Sequence, residues 1–226
     1  MATNSNRSDR GFSLMELIIA MAITLSVMSM ATTLIASALR IRSRENQKSD
    51  ALADVQRALN LMSREIANSG FNLNNNGIVS AESDGTRIRI RANLNRYDYN
   101  ATANSRDNIV DEGEDVSYFI NTALNTTYLA RYDQYGNTKT VLANRLDSFH
   151  IHYYADKVTY SASAGGTDIS NASATEVSPS AAKYIVIAVS VTLDAQGTPG
   201  SSGYQAPFSV LLCSDVALRN SSLWTY

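Results

Sequence analysis

The chain has 226 residues, with 19 Lys and Arg against 21 Asp and Glu and a formal charge of −2. That length holds one ordinary domain plus an added element, and the near-neutral balance gives bulk charge no part in holding a polyanion. The single cysteine, Cys213, excludes an intramolecular disulfide, so the fold rests on packing; within the apolar run 208–213 it reads as a small buried hydrophobe.

Residues 1–11 form a short polar leader carrying Arg7 and Arg10 and ending in Gly11. The next 28 residues, Phe12 to Leu39, contain one charge, Glu16. A cleaved secretory signal would explain the arginines and the small residues Ala36, Ser37 and Ala38, but its apolar core is normally about 7–15 residues long. A plain membrane anchor fits the length, since about 20 apolar residues cross a hydrocarbon core of about 30 Å. Arginines on both sides (Arg7 and Arg10; Arg40, Arg42 and Arg44) leave its orientation open by charge counting. The anchor gives Glu16 no role, although a carboxylate inside a membrane helix costs about 2.5–3.5 kcal/mol on insertion scales. A third reading takes residues 11–16 as one unit: a glycine that lets extended backbone enter a protease, an aromatic residue, and a carboxylate four positions on.

No proline or glycine occurs from Phe12 to Ser69, which predicts a helix of 58 residues, about 85 Å long. Gly70 is its stop, and residues 72–77, rich in asparagine, read as a loop. The half up to Leu39 is apolar all round. Further on, Leu52, Val55, Leu59, Met62 and Ile66 recur at spacings of three and four, making one stripe that needs a cover. Candidate strands are 86–92, 115–121, 126–132, 139–143, 147–155, 184–193 and 207–218. Strand 184–193 is uniformly apolar, as a central strand is. The expected fold is α+β, a long N-terminal helix laid across an antiparallel sheet, with Leu59, Met62, Ile66, Ile187, Val189 and Val191 in the core. The expected organisation is leader 1–11, apolar helix 12–39, amphipathic helix 40–69 and a β-rich domain 70–226. Segments 161–182 and 194–205 read as surface loops, the first because it has too little apolar content to fold alone.

Site candidates are few. His150 and His152 lie two apart on one strand face, where Asp147 or Asp156 could complete a metal site, although exposed strand residues are the default. Asp111, Glu112, Glu114 and Asp115 surround Gly113 and could take calcium, though their order is not that of an EF-hand. Arg87, Arg89, Arg91 and Arg96, with Tyr97 and Tyr99, make a basic and aromatic strip that suits either nucleic acid or a charge-protected edge strand. No serine or cysteine nucleophile has a recognisable base, and no phosphate-cradling glycine loop occurs, so neither catalysis nor a cofactor is expected.

The junction of residues 11–16, followed by 23 uncharged residues, resembles that of type IV prepilins. The resemblance implies cleavage by a prepilin peptidase between Gly11 and Phe12 and N-methylation of Phe12. It also implies a pairing of Glu16 with the Phe12 amine of a neighbouring subunit, which would set register as single buried polar groups do in coiled coils. The helix end from Leu61 to Phe71, and with it the order of strand segments 116–120, 127–131, 149–154 and 217–220, resembles PilW-type minor pilins and the J-type pseudopilins of type II secretion. Major pilins often have a kinking proline in the apolar half and a disulfide; this chain has neither. The implied role is that of a minor pilin of a type IV pilus, stored in the inner membrane with a periplasmic domain and later exposed at the cell surface. Its implied partners are other pilins, the prepilin peptidase, the inner-membrane assembly platform and the lipid bilayer. A J-type pseudopilin, or a membrane-tethered binding protein or adhesin that does not polymerise, are the alternatives.

Overall fold

The structure, a computed structural model, describes residues 12–94, 110–123, 126–144, 146–201 and 203–220. One helix, α1 (Leu14–Ala67, 54 residues), opens the chain as the unbroken helical composition predicts. It passes through two compact units. One contains the helix up to Asn46 and the segment Gly197–Gln205; the other runs Gln47–Gln196 and resumes at Ala206.

In the first unit the apolar side chains of α1 stand exposed, from Leu14 and Met15 to Leu34, Ile35 and Leu39. Several of its hydroxyls bond back to the helix itself: Ser26 Oγ donates to the Ala22 carbonyl at 2.8 Å and Thr33 Oγ1 to that of Met30 at 2.8 Å. Such back-bonding leaves those hydroxyls in no need of water.

The second unit is the β domain. Strands β1 (Arg87–Arg91), β2 (Asp115–Ala123), β3 (Thr126–Asp133) and β4 (Thr138–Asn144) form an antiparallel sheet in that order. A second antiparallel sheet has the order β5-β8-β9, with β5 at Ser148–Tyr154, β8 at Tyr184–Leu193 and β9 at Phe208–Ala217. A two-stranded hairpin, β6 (Ser161–Ala162) with β7 (Ile169–Ser170), lies between β5 and β8 in the chain. All seven expected strands are present, and β8 has the expected bounds. They divide between two sheets rather than forming one, the break falling between β4 and β5.

The covered part of α1 buries Ala51, Val55, Ala58, Leu59, Met62 and Ile66 in one core with Ile88, Tyr118, Phe149, Ile187 and Val189. The six expected core residues are all buried. Leu52 is only half-buried; the stripe starts instead at Ala51, one position earlier, where a small side chain lets the helix approach. Beyond Ala67, Gly70 (φ 75°) reverses the chain and donates its N–H to the Arg91 carbonyl at 2.8 Å.

Two expectations fail. Segment 161–182 is not a bare loop: with 155–160 it builds a flap whose Val158 and Ile169 bury against Tyr154, Tyr184, Val186 and Ala188. It lacks apolar residues because the sheet beneath supplies them, and this second layer is why β8 is buried on both faces through Val191. Cys213 is exposed, not buried. On β9 the core-facing residue is Val216, and Cys213 shares its register with exposed Ser209, Asp215 and Ala217 on the opposite face.

Candidate functional site

The start of α1 is the first candidate. The Ser13 carbonyl accepts the N–H groups of Glu16 (3.0 Å) and Leu17 (3.2 Å), which begins the helix and puts Glu16 in its first turn. A carboxylate is favoured there by the positive end of the helix dipole. Phe12 is 82% exposed, and Glu16 is exposed. Gly11, the other half of the expected cleavage site, lies outside the described residues. Behind this junction α1 contains a window of mean hydropathy 2.1, none of it buried, long and apolar enough to cross a membrane.

The far end of α1 is locked into the β domain by polar groups. Glu65 Oε2 accepts the Tyr118 hydroxyl at 2.5 Å and Arg131 Nε at 3.1 Å; Arg131 also pairs with Asp133 at 3.4 Å. Burial, followed by the Glu65 charge and hydrogen bond, pushes the Tyr118 phenol far up, so it stays a donor at every ordinary pH. Ser63 Oγ meets Ser214 Oγ at 2.6 Å and ties the same helix to β9. Sequence periodicity marked the apolar stripe but not these partners, which lie on other strands.

The carboxylates of the acidic turn have partners within the protein. Asp115 accepts Arg89 Nε and Nη2 at 2.7 and 2.8 Å and Arg91 Nε at 2.8 Å. Burial pushes the Asp115 carboxyl up, but the hydrogen bonds from Arg89 and Arg91 outweigh it and hold the group below the usual carboxylate range. Glu114 accepts the backbone N–H groups of Leu94 (2.6 Å) and Asp111 (2.9 Å). The carboxylates thus face arginines and the chain itself. Among the described residues no three such groups gather to hold a metal ion.

The described part of the basic strip, on the edge strand β1, is paired within the protein in the same way. Arg87 and Arg89 pair with Glu82, and Arg89 and Arg91 with Asp115. β1 is not an open edge, since Val79 donates to the Arg89 carbonyl at 2.9 Å and Ile78 bridges Ile90. Arg96, Tyr97 and Tyr99 lie outside the described residues.

His150 and His152 do share one face of β5; the His150 side chain is more than a third exposed, whereas that of His152 is mostly buried. His152 Nε2 lies 2.8 Å from Asp168 Oδ1 and its Nδ1 lies 2.7 Å from Glu176 Oε1, while His150 Nδ1 is 3.7 Å from Asp168 Oδ2. The carboxylates on the histidines come from the flap, not from Asp147 or Asp156. Nothing in the sequence could have found them, because Asp168 and Glu176 sit in a segment without periodicity.

Residues 6–32 match the profile described as the prokaryotic N-terminal methylation motif. No curated protein and no solved structure matches the chain. The motif covers the end of the leader, the junction and the exposed apolar part of α1, and it supports a structural subunit of the type IV pilin or pseudopilin kind, anchored in the membrane through its N-terminus.

Proposed function

We propose that this chain is a minor pilin of a type IV pilus, a membrane-stored subunit of the complex that starts or tips the filament. The observation that carries the reading is the continuity of α1: a methylation motif leads into a helix whose first part exposes its apolar side chains and whose last part is packed in a β domain. A prepilin peptidase cuts between Gly11 and Phe12, and the new Phe12 amine is methylated. The helix waits in the inner membrane with the β domain in the periplasm, then leaves lipid for the filament core. Helix packing replaces lipid contact in that transfer, and the hydrophobic effect contributes little because both surroundings are apolar. Glu16 pairs with the Phe12 amine of a neighbouring subunit, since a carboxylate brought into such a core needs a compensating charge.

Mass spectrometry of the protein purified from membranes tests this. The mature N-terminus is expected at methylated Phe12. A start at Leu39, after a signal-type cut, overturns the reading, as does an uncleaved chain in cells with an active prepilin peptidase. Deletion is expected to remove surface pili; loss of exoprotein release instead would assign the chain to a type II secretion pseudopilus.

A further inference from the structure

The flap between β5 and β8 is fastened by an arrangement that only one protonation state of a histidine can make. Both ring nitrogens of His152 face carboxylate oxygens, Asp168 at 2.8 Å and Glu176 at 2.7 Å. A neutral imidazole has one N–H and one lone pair, so it can donate to one carboxylate and must turn its lone pair on the other. The imidazolium donates to both. His152 has 15% of its side chain exposed, so water does little to replace a lost partner.

The rest of the flap's hold is spread over its two ends and a few apolar residues. Val158, Ile169 and Ala182 are its buried apolar residues, with Tyr160, Ala172 and Val177 packed partly buried beside them; Asn76 Nδ2 donates to the Pro179 and Ala182 carbonyls at 2.8 and 3.1 Å at its far end. Backbone bonds close its ends, Val177 N–H to the Tyr153 carbonyl and Lys183 N–H to that of Tyr154, both 2.9 Å, and Ser148 Oγ donates to the Thr167 carbonyl at 2.5 Å. Each of two charge-assisted hydrogen bonds is comparable with burying one such aliphatic side chain, so the histidine contact is a sizeable part of what holds the middle of the flap. Segments with few apolar contacts are those that open locally without global unfolding.

We propose that residues 155–183 form a pH-released flap over the outer face of β5 and β8, latched by protonated His152 between Asp168 and Glu176 and freed when His152 loses its proton. Burial pushes the His152 pKa down, but hydrogen bonds and charges from Glu176 and Asp168 push it further up, and the net shift is upward. A group raised on folding contributes stability that is fully present below its unfolded pKa, about 6.5, and is lost as pH rises through the folded value. The latch is therefore closed on the acid side and opens on the alkaline side.

Other titratable groups share this face, among them His150, whose Nδ1 lies 3.7 Å from the second Asp168 oxygen. His150 and Tyr154 flank His152 on β5, with ring centroids 6.4 and 6.5 Å away. From β8 the residue opposite is Val186, with Tyr184 and Ala188 beside it. Tyr160 on the flap donates to Asp215 on β9 at 2.6 Å. Tyr154, Tyr160 and Tyr184 are shifted upward, chiefly by burial, and the Cys213 thiol, surface-exposed but partly desolvated by its neighbours and beside the Asp215 charge, is shifted the same way; all stay neutral where His152 titrates. Opening would bare Tyr154, Tyr184, Val186 and Ala188, an apolar strip that the flap otherwise covers.

Hydrogen exchange read by mass spectrometry on the full chain in detergent tests the latch, with labelling times scaled to the intrinsic exchange rate at each pH. Protection of the peptides spanning 158–177 is expected to fall about tenfold between about pH 6 and pH 9, while β8 stays protected. In His152→Gln the same peptides are expected to show low protection with no pH step. A wild-type chain without the step, or a His152→Gln chain that keeps it, overturns the proposal. If His152→Gln loses β8 protection, Glu176→Gln decides, because Glu176 is half exposed and dispensable for packing. Its step is expected at lower pH, and an unmoved midpoint overturns the latch.

Discussion

Gly77 shows how one residue can fix the junction between helix and sheet. Its φ is 76°, in the left-handed region, and a Cβ there would lie 2.1 Å from Gly70 N and 2.3 Å from the Arg91 carbonyl oxygen. Both contacts are backbone, and both belong to the hydrogen bonds that turn the chain from α1 into β1: Gly70 N–H to Arg91, and Arg91 N–H to Gly77 at 2.7 Å. No side chain can rotate away to make room. Gly77→Ala is expected to cost about 3 kcal/mol or more, adding overpacking to backbone strain. Gly85→Ala is the internal contrast, because the nearest atom to its Cβ is 4.0 Å away, and it should stay within about 0.5 kcal/mol. Urea unfolding of the two variants, followed by β-sheet circular dichroism, measures the difference. Gly70 was readable in the sequence as a helix stop, since a glycine ended a long run without breakers. Gly77 was readable only as part of a loop, because its constraint is the approach of Gly70 and Arg91, which no local pattern encodes.

Among the elements, β1 and β2 show where sequence patterns mislead. The alternation of Arg87, Arg89 and Arg91 with Ile88 and Ile90 identified a strand with one buried face, and Ile88 and Ile90 are indeed buried. The same pattern made the arginines look like a free cationic strip and Asp115 like part of an acidic turn. Register resolves both: Arg91 pairs with Asp115 and Arg89 with Ser117, so the acidic end of β2 meets the basic strand side by side. Opposite charges at cross-strand positions stabilise pairing, and here one partner, Asp115, is 3% exposed. Asp115→Asn leaves the Arg89 guanidinium with Glu82 alone and is expected to cost about 2–3 kcal/mol. Because the folded Asp115 pKa lies below its unfolded value, the contribution is present above about pH 4 and is lost as pH falls through the folded value. Acid titration of stability should therefore show a smaller drop in Asp115→Asn than in the wild type. An equal drop would mean that other carboxylates dominate the acid limb. β8 was more legible than β1, since its apolar residues on both faces matched a strand covered twice. What covered its second face was not legible, because the flap's inward residues, Val158 and Ile169 chief among them, follow no period and it holds itself partly by His152.

At the scale of the whole molecule, α1 runs through both units and its surface differs between them: apolar and exposed up to Leu39, buried in a stripe from Ala51 to Ile66. A helix exposed this way is not a stable arrangement in water, so the chain needs lipid or other apolar helices around its first part. Glu16 distinguishes these two surroundings. In lipid it is a cost of about 2.5–3.5 kcal/mol, reduced by its place near the helix start. In a bundle of like helices it gains if a cation sits beside it, and the methylated amine of Phe12 on a neighbouring subunit is the cation that the proposed filament role supplies. Glu16→Ala removes the cost in lipid and the gain in the bundle together. The expected outcome is a protein that reaches the membrane and folds normally, judged by unchanged urea unfolding of the β domain, yet enters sheared filaments or tip complexes at least about tenfold less well. Glu16→Gln, which keeps the size and hydrogen-bonding capacity without the charge, should be impaired to a similar degree. Normal incorporation of both variants would show that the carboxylate does not set assembly, and would favour a membrane-tethered protein that does not polymerise.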